Sequence, residues 1–254
     1  MKNQIAVISV ITSSILMPVV SQAQVFLNEN FDGYADQAAY VAAWPVNATT
    51  TLLSTEQAVS LSQSAKGLTT VSRNARNVGE IGFMNATTDV VTFRFDFYDM
   101  SGTATYRQYA ELDDGLAPSG GGQLFAMGLN NNLASSFYMA RILGADGGAG
   151  VSAFFKLDDV GAPARTVGWH TLEARITDTS VDFLVDSILS KTVNIAALTD
   201  RSLDTVKVGS NLSSTQVAYF DNIFVSRSVV PEPGTFSILG IGLGALILVR
   251  RNRN

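Results

Sequence analysis

Asp89–Asp99 reads DVVTFRFDFYD, and its alternation leaves the backbone little choice. Val91, Phe93, Phe95 and Phe97 take every second position, with Thr92, Arg94, Asp96 and Tyr98 between them. Successive side chains of a strand point to opposite faces, so this period of two builds one apolar face; a helix would scatter the same residues around its circumference. A strand with one apolar face needs a second layer to cover it. His170–Thr177 repeats the pattern with Leu172, Ala174 and Ile176, and Val181, Phe183 and Val185 follow the turn Asp178-Thr179. Further strands are expected at Leu68–Val71, Tyr106–Leu112, Gln123–Leu129, Phe137–Leu143, Val151–Leu157, Asp204–Gly209 and Val217–Val225. Turn residues separate them, notably Gly120-Gly121-Gly122, Gly147-Gly148 and Gly161-Ala162-Pro163. Many short strands at this spacing predict an all-β, antiparallel sandwich or barrel. One short helix is expected at Asp36–Ala43, with Trp44 packing at its end and Pro45 stopping it.

The two ends of the chain obey different rules. Met1-Lys2 supplies one positive charge, an apolar run extends from Ile5 to Val20, and Ser21-Gln22-Ala23 is a small-x-small site. Those three parts in that order predict a secretory signal peptide over 1–23, cleaved between Ala23 and Gln24. At the other end Phe236–Val249 holds no charge, and Arg250, Arg251 and Arg253 follow it directly. Its 14 residues would span only about 21 Å as a helix, against about 30 Å of hydrocarbon. The basic tail favours a short transmembrane helix, because arginines after an apolar run act as a cytoplasmic stop-transfer signal and leave the rest of the chain outside. The domain expected between the two signals covers 24–228.

Pro231-Glu232-Pro233, the glycine-containing apolar stretch and the terminal arginines together resemble a PEP-CTERM sorting signal over 229–254. The resemblance implies handling by exosortase, a membrane-embedded peptidase of Gram-negative bacteria that make extracellular polysaccharide. The N-terminal signal implies export through the Sec translocon and signal peptidase, with the inner membrane held only in transit through the C-terminal helix. The chemistry agrees: neither proline can sit inside a helix, and each holds the preceding residue extended, so a peptidase meets the motif as a strand.

The chain has no cysteine, which excludes disulfides, thiolate metal sites and a cysteine nucleophile. Without the terminal charges, 13 basic face 21 acidic residues. A domain this acidic is a poor partner for nucleic acid. Gly168-Trp169-His170, Val181–Asp186 and Tyr219-Phe220-Asp221-Asn222-Ile223 look like strand openings and closings of the concanavalin A-like, laminin G-like jelly-roll superfamily. That resemblance implies a jelly-roll sandwich.

Catalysis finds little support in the residues. His170 is the only histidine, and its place beside Trp169 at a strand start suggests a structural part. Laminarinase-type jelly-roll enzymes carry Glu-x-Asp-x-x-Glu on one strand; here Glu111-Leu112-Asp113-Asp114-Gly115-Leu116 has leucine at the last position, so no acid partners the nucleophile. Glu111, Asp113 and Asp114 then read as a solvated strand end. No cofactor is expected, although the acidic turns Asp113-Asp114-Gly115 and Asp158-Asp159-Val160-Gly161 have the oxygens that calcium takes. The expectation is a non-enzymatic, lectin-like module of the cell surface or biofilm matrix, associated with extracellular polysaccharide. The alternatives are a jelly-roll glycoside hydrolase or lyase, and a ligand-free spacer. Exposed aromatics such as Tyr106, Tyr109 or Tyr138 would favour binding; two carboxyls about 5 to 9 Å apart in a cleft would favour hydrolysis.

Overall fold

The computed structural model describes residues 23–82, 89–115, 123–131, 133, 136–143, 153–198 and 202–229. The chain runs β1 (Gln24–Glu29), α1 (Gln37–Ala43), β2 (Leu52–Ser54), β3 (Ser64–Gly67), β4 (Ser72–Asn77), β5 (Asp89–Asp99) and β6 (Gln108–Asp113). It continues through β7 (Leu124–Leu129), β8 (Met139–Leu143), β9 (Phe155–Lys156), β10 (Gly168–Ile176), β11 (Ser180–Val185), β12 (Ile188–Asn194), β13 (Thr205–Ser210) and β14 (Ala218–Val229). Two antiparallel sheets form a sandwich. The larger has the order β12-β11-β10-β5-β14-β3-β2, with β1 pairing farther along β14; the smaller has the order β4-β13-β6-β7-β8-β9.

The alternation of β5 decides the inner face of the larger sheet. Val91, Phe93, Phe95 and Phe97 are fully buried. Opposite them in register stand Ile176, Ala174 and Leu172 of β10 on one side, and Val225 and Phe220 of β14 on the other. The Phe220 ring lies 5.5 Å from Phe97 and 6.1 Å from Phe95, in the tilted and edge-on arrangements that aromatic rings prefer. The smaller sheet meets this layer with Leu112, Phe125, Met127, Val206 and Val208.

The helix forms where its caps allow. The Asp36 carboxylate accepts from Ala39 N at 2.8 Å, which satisfies one of the orphan donors at a helix start. Tyr40 and Trp44 are buried against Phe31, and the Trp44 indole, the Tyr34 hydroxyl and Arg76 all donate to Glu29.

The expected strand at Leu68–Val71 is a correction: those residues join β3 in one sheet to β4 in the other. A chain changing layers has no ladder to enter, so Leu68 N donates to the Ser72 hydroxyl and Leu68 O accepts from the Gln108 amide. β1, β2 and β12 carry no clean alternation and were not expected. β12 is an edge strand whose first two residues, Ile188 and Leu189, are exposed. β14 runs four residues past the expected strand end at Val225.

Candidate functional site

The outer face of the larger sheet carries the other half of each alternation. Register places Trp169 of β10, Tyr98 of β5 and Tyr219 of β14 on one rung across three strands. Tyr98 meets Trp169 at 5.3 Å and Tyr219 at 5.9 Å, both edge-on. The next rung holds Thr171 opposite Asp96, and the one after that Glu173 opposite Arg94. At roughly 3.4 Å per residue, neighbouring rungs on one face lie about 7 Å apart.

β14 adds a residue here by breaking its own register. Pairing with β5 shifts between Asp221 and Phe224, and Asn222 takes a positive φ of 47°. Such a bulge re-aims a side chain while the strands on either side stay paired. Asn222 Nδ2 thereby donates to Asp96 Oδ2 at 2.8 Å, and Thr171 Oγ1 donates to Asp96 Oδ1 at 2.7 Å. Asn28 of β1 and Ser187 close the rim of an open pocket of about 290 Å³, whose lining is completed by Arg94 and Glu173. Ser187 stands there because Asp186 and Ser187, both at positive φ, make the two-residue turn between β11 and β12.

The aromatics that sequence singled out lie elsewhere. Tyr106, Tyr109 and Tyr138 are buried, so none of them is the exposed aromatic that would favour binding. Tyr106 and Tyr138 sandwich the Arg165 guanidinium, and Tyr106, Tyr138 and Arg165 all donate to the Asp99 carboxylate. Burial pushes that carboxyl up, but the bonds from Arg165, Tyr106 and the backbone outweigh it and hold it below the usual range. Both phenols are pushed above their ordinary value, first by burial and then by the Asp99 charge.

The expectation of a solvated strand end at Glu111 and Asp113 is a correction. They project from the outer face of the smaller sheet and are buried, not solvated. Glu111 pairs with Arg73 at 3.1 Å, and Asp113 pairs with Lys207, whose side chain is also fully buried. Burial and the neighbouring Glu111 charge push the Asp113 carboxyl up to about 6, with Lys207 pulling the other way. In the second acidic turn, Asp158 and Asp159 both face the Lys191 ammonium, at 3.2 and 2.8 Å. The described residues contain no group of three or more carboxylates or histidines placed to hold a metal.

Thr166, His170 and Asp186 stand in the order of a hydroxyl–imidazole–carboxylate relay. His170 Nδ1 is 2.8 Å from Asp186 Oδ2, and Nε2 is 3.0 Å from Thr166 Oγ1. Nε2 also lies 3.1 Å from the Thr166 carbonyl, so the imidazole faces oxygens on both sides. A general base needs a free lone pair directed at the nucleophile, and this nitrogen is shared with a carbonyl that can only accept. The contacts tie the loop before β10 to the β11–β12 turn.

Of the expected signals, Ala23 is exposed and Gln24 opens β1. Pro231, Glu232, Pro233, the span 236–249, Arg250, Arg251 and Arg253 lie outside the described residues, as does 1–22. Among the described residues no helix is long and apolar enough to cross a membrane. The residues of the outer pocket were not singled out from sequence, although the polar positions of the DVVTFRFDFYD alternation contain two of them.

Comparison with known proteins separates the tail from the domain. Residues 229–253 match the PEP-CTERM protein-sorting motif. No curated protein matches the chain. The described domain shares its fold with an HCR/D mutant (TM-score 0.52, 11% identity, 86% of this chain and 51% of that one). It is similar in the same way to the receptor binding domain of botulinum neurotoxin C/D mosaic serotype (TM-score 0.50, 10% identity, 86% and 51%). A carbohydrate esterase from the Shiga toxin-encoding bacteriophage phi24B also matches (TM-score 0.50, 14% identity, 83% and 100%). The chain spans about half the length of the first two. At these identities the likeness is one of fold: a β-sandwich.

Proposed function

We propose that this exported chain is a non-catalytic, lectin-like module: its leader is removed at Ala23, exosortase processes its C-terminal motif, and its sandwich, 24–228, associates with extracellular polysaccharide at the cell surface or in the matrix. The sorting motif over 229–253 carries the export half of this reading. The open polar pocket beside a partly exposed aromatic rung, on the outer face of the larger sheet, supports the binding half. No cofactor is invoked. That one solved relative in fold is named a carbohydrate esterase and another a receptor binding domain is compatible with a sandwich serving sugars or receptors, and decides neither.

One observation favours an enzyme: Asp96 and Glu173 line the same pocket. They occupy diagonal positions on neighbouring strands, where Cβ atoms lie somewhat less than about 7 to 8 Å apart. Hydrolysis needs one of such a pair to donate a proton. In their present contacts both accept, Asp96 from Thr171 and Asn222, and Glu173 from Arg175 at 2.5 Å. The experiment is co-sedimentation of the chain with the producing bacterium's own extracellular polysaccharide, with reducing sugar assayed in the same tube. Binding without release is expected. Release of sugar would overturn the non-catalytic reading, and an absence of binding would overturn the association.

A further inference from the structure

We infer that the pocket between β1, β5, β10 and β14 takes one neutral, hydroxyl-rich pyranose unit, and that the neighbouring unit of the same chain lies over the Trp169–Tyr98 rung. The inference rests on the polysaccharide reading and adds the site and the class of sugar.

The volume of about 290 Å³ is at the low end for a ligand pocket, which suits one sugar ring rather than a long segment. The side chains around it mix donors and acceptors. Among the described residues, Asn28, Arg94 and Ser187 make no side-chain hydrogen bond within the protein, so the lining has unspent donors. Asp96 supplies the acceptors. A carboxylate has about four lone-pair sites; Thr171 and Asn222 take one on each oxygen, which fixes the group and leaves sites for two hydroxyls.

The alternatives fail on charge and shape. An anionic sugar would bring its carboxylate towards Asp96 and Glu173; Arg175 is already paired with Glu173, and Arg94, the one guanidinium of the lining, already stacks on Phe224 at 5.3 Å. An apolar ligand finds no greasy wall, because all seven lining residues are polar or charged. Hydroxyl groups, each both donor and acceptor, match a rim of this kind.

One rung along the strands, Tyr98 and Trp169 are partly exposed, while Tyr219 is almost covered by Lys66 and Glu56. The face of an aromatic ring carries negative charge density, and the C–H face of a pyranose is complementary to it. Stacking of this kind is indifferent to the sign and pattern of the hydroxyls, so the pocket selects and the rung holds.

The test is affinity electrophoresis of the full chain, kept in a detergent without a sugar headgroup, through gels containing laminarin, dextran or polygalacturonate. Retardation by a neutral glucan and none by polygalacturonate is expected. Asp96→Ala should weaken that retardation roughly tenfold, the loss expected for a charge-assisted bond. Asn28→Ala touches no internal hydrogen bond, so it should weaken binding a few-fold with an unchanged melting temperature and guards against a folding defect in the first variant. Retardation by the glucan that survives both substitutions would leave the polysaccharide association standing and overturn the pocket. Preference for polygalacturonate would overturn the neutral ligand. If no polymer, the host's own included, retards the chain, both readings fail.

Discussion

Asp113 and Lys207 share a space from which solvent is excluded, with Glu111 and Arg73 beside them. Taking charges out of water costs several kcal/mol per ion, so such a pair is stable only while it is complete. Lys207→Met alone should destabilise the domain by about 3 to 5 kcal/mol, and Lys207→Met with Asp113→Leu should recover much of that. Chemical denaturation of the two variants checks this; equal losses would mean that the pair is not isolated from water. The same carboxyl sets a pH dependence. With its value raised to about 6, the folded state binds the proton more tightly than the unfolded chain. Stability should therefore rise as pH falls from 7 through 6 towards 4. Burial raises Asp221 as well, although Ser60 and Val59 N donate to it, and it adds to the same slope. Asp99 is held low and acts oppositely, its contribution being lost only when pH drops below the ordinary carboxylate range. Melting temperature is expected to peak on the acid side of neutrality, between about pH 4 and 6. Asp113→Asn should flatten the slope on the alkaline side of that peak; an unchanged slope would mean that another group titrates there.

β10, β11 and β12 form the outermost elements of the larger sheet beyond β5, and their register depends on a short turn. Asp186 and Ser187 both sit at positive φ, where a glycine is usual, and the Asp186 side chain compensates by bonding Thr171 N at 2.9 Å and His170 Nδ1 at 2.8 Å. His170 in turn packs at 5.3 Å from the Tyr138 ring of the opposite layer, so one imidazole connects hairpin, loop and core. His170→Ala should cost about 1 to 3 kcal/mol, read by urea titration, because a hydrogen bond to a charged partner and a packing contact go together. If the cluster were a hydrolytic relay, the same substitution would abolish cleavage of nitrophenyl acetate. The expected result is that the parent shows no more cleavage than the variant.

The first described strand and the last pair with each other. In the pairing of β1 with β14, Gln24 stands opposite Arg227, and on the other side of β14 Val229 stands opposite Asp89. The first residue expected after leader removal is thus already in a sheet, and pairing continues to within two residues of Pro231. A proline has no N–H to give to a ladder, and its ring keeps the residue before it out of helical geometry. Pro231→Ala with Pro233→Ala should leave the apolar span inserted and the chain unprocessed, since helix can then continue through the motif. Leu243→Arg places a charge worth about 3 kcal/mol in the middle of that short span and should release or misroute uncleaved chain. Membrane fractionation of tagged variants in a host with the peptidase separates the two outcomes. Processing of the double alanine variant at the parental rate would reduce the motif to a linker.

The sequence by itself determined the fold class and the sorting motif of the C-terminal tail. Val91, Phe93, Phe95 and Phe97 take the same face whatever surrounds them, because a period of two is a property of the strand. The sorting motif was legible for a similar reason: it is a local string, and residues 229–253 were matched as such. The helix was legible from Asp36 and Pro45, which act within a turn of chain. What only the tertiary structure decided is which polar face is open. Alternation assigns Tyr109, Glu111 and Asp113 to one side of β6 and Arg94, Asp96 and Tyr98 to one side of β5, and nothing in either string says that the first side is buried and the second open. That depends on what packs over each sheet and on a register set by strands far apart in sequence. The bulge at Asn222, which completes the pocket by bringing an amide from β14 to a carboxylate 126 residues earlier, has no local signature because its cause is the pairing itself.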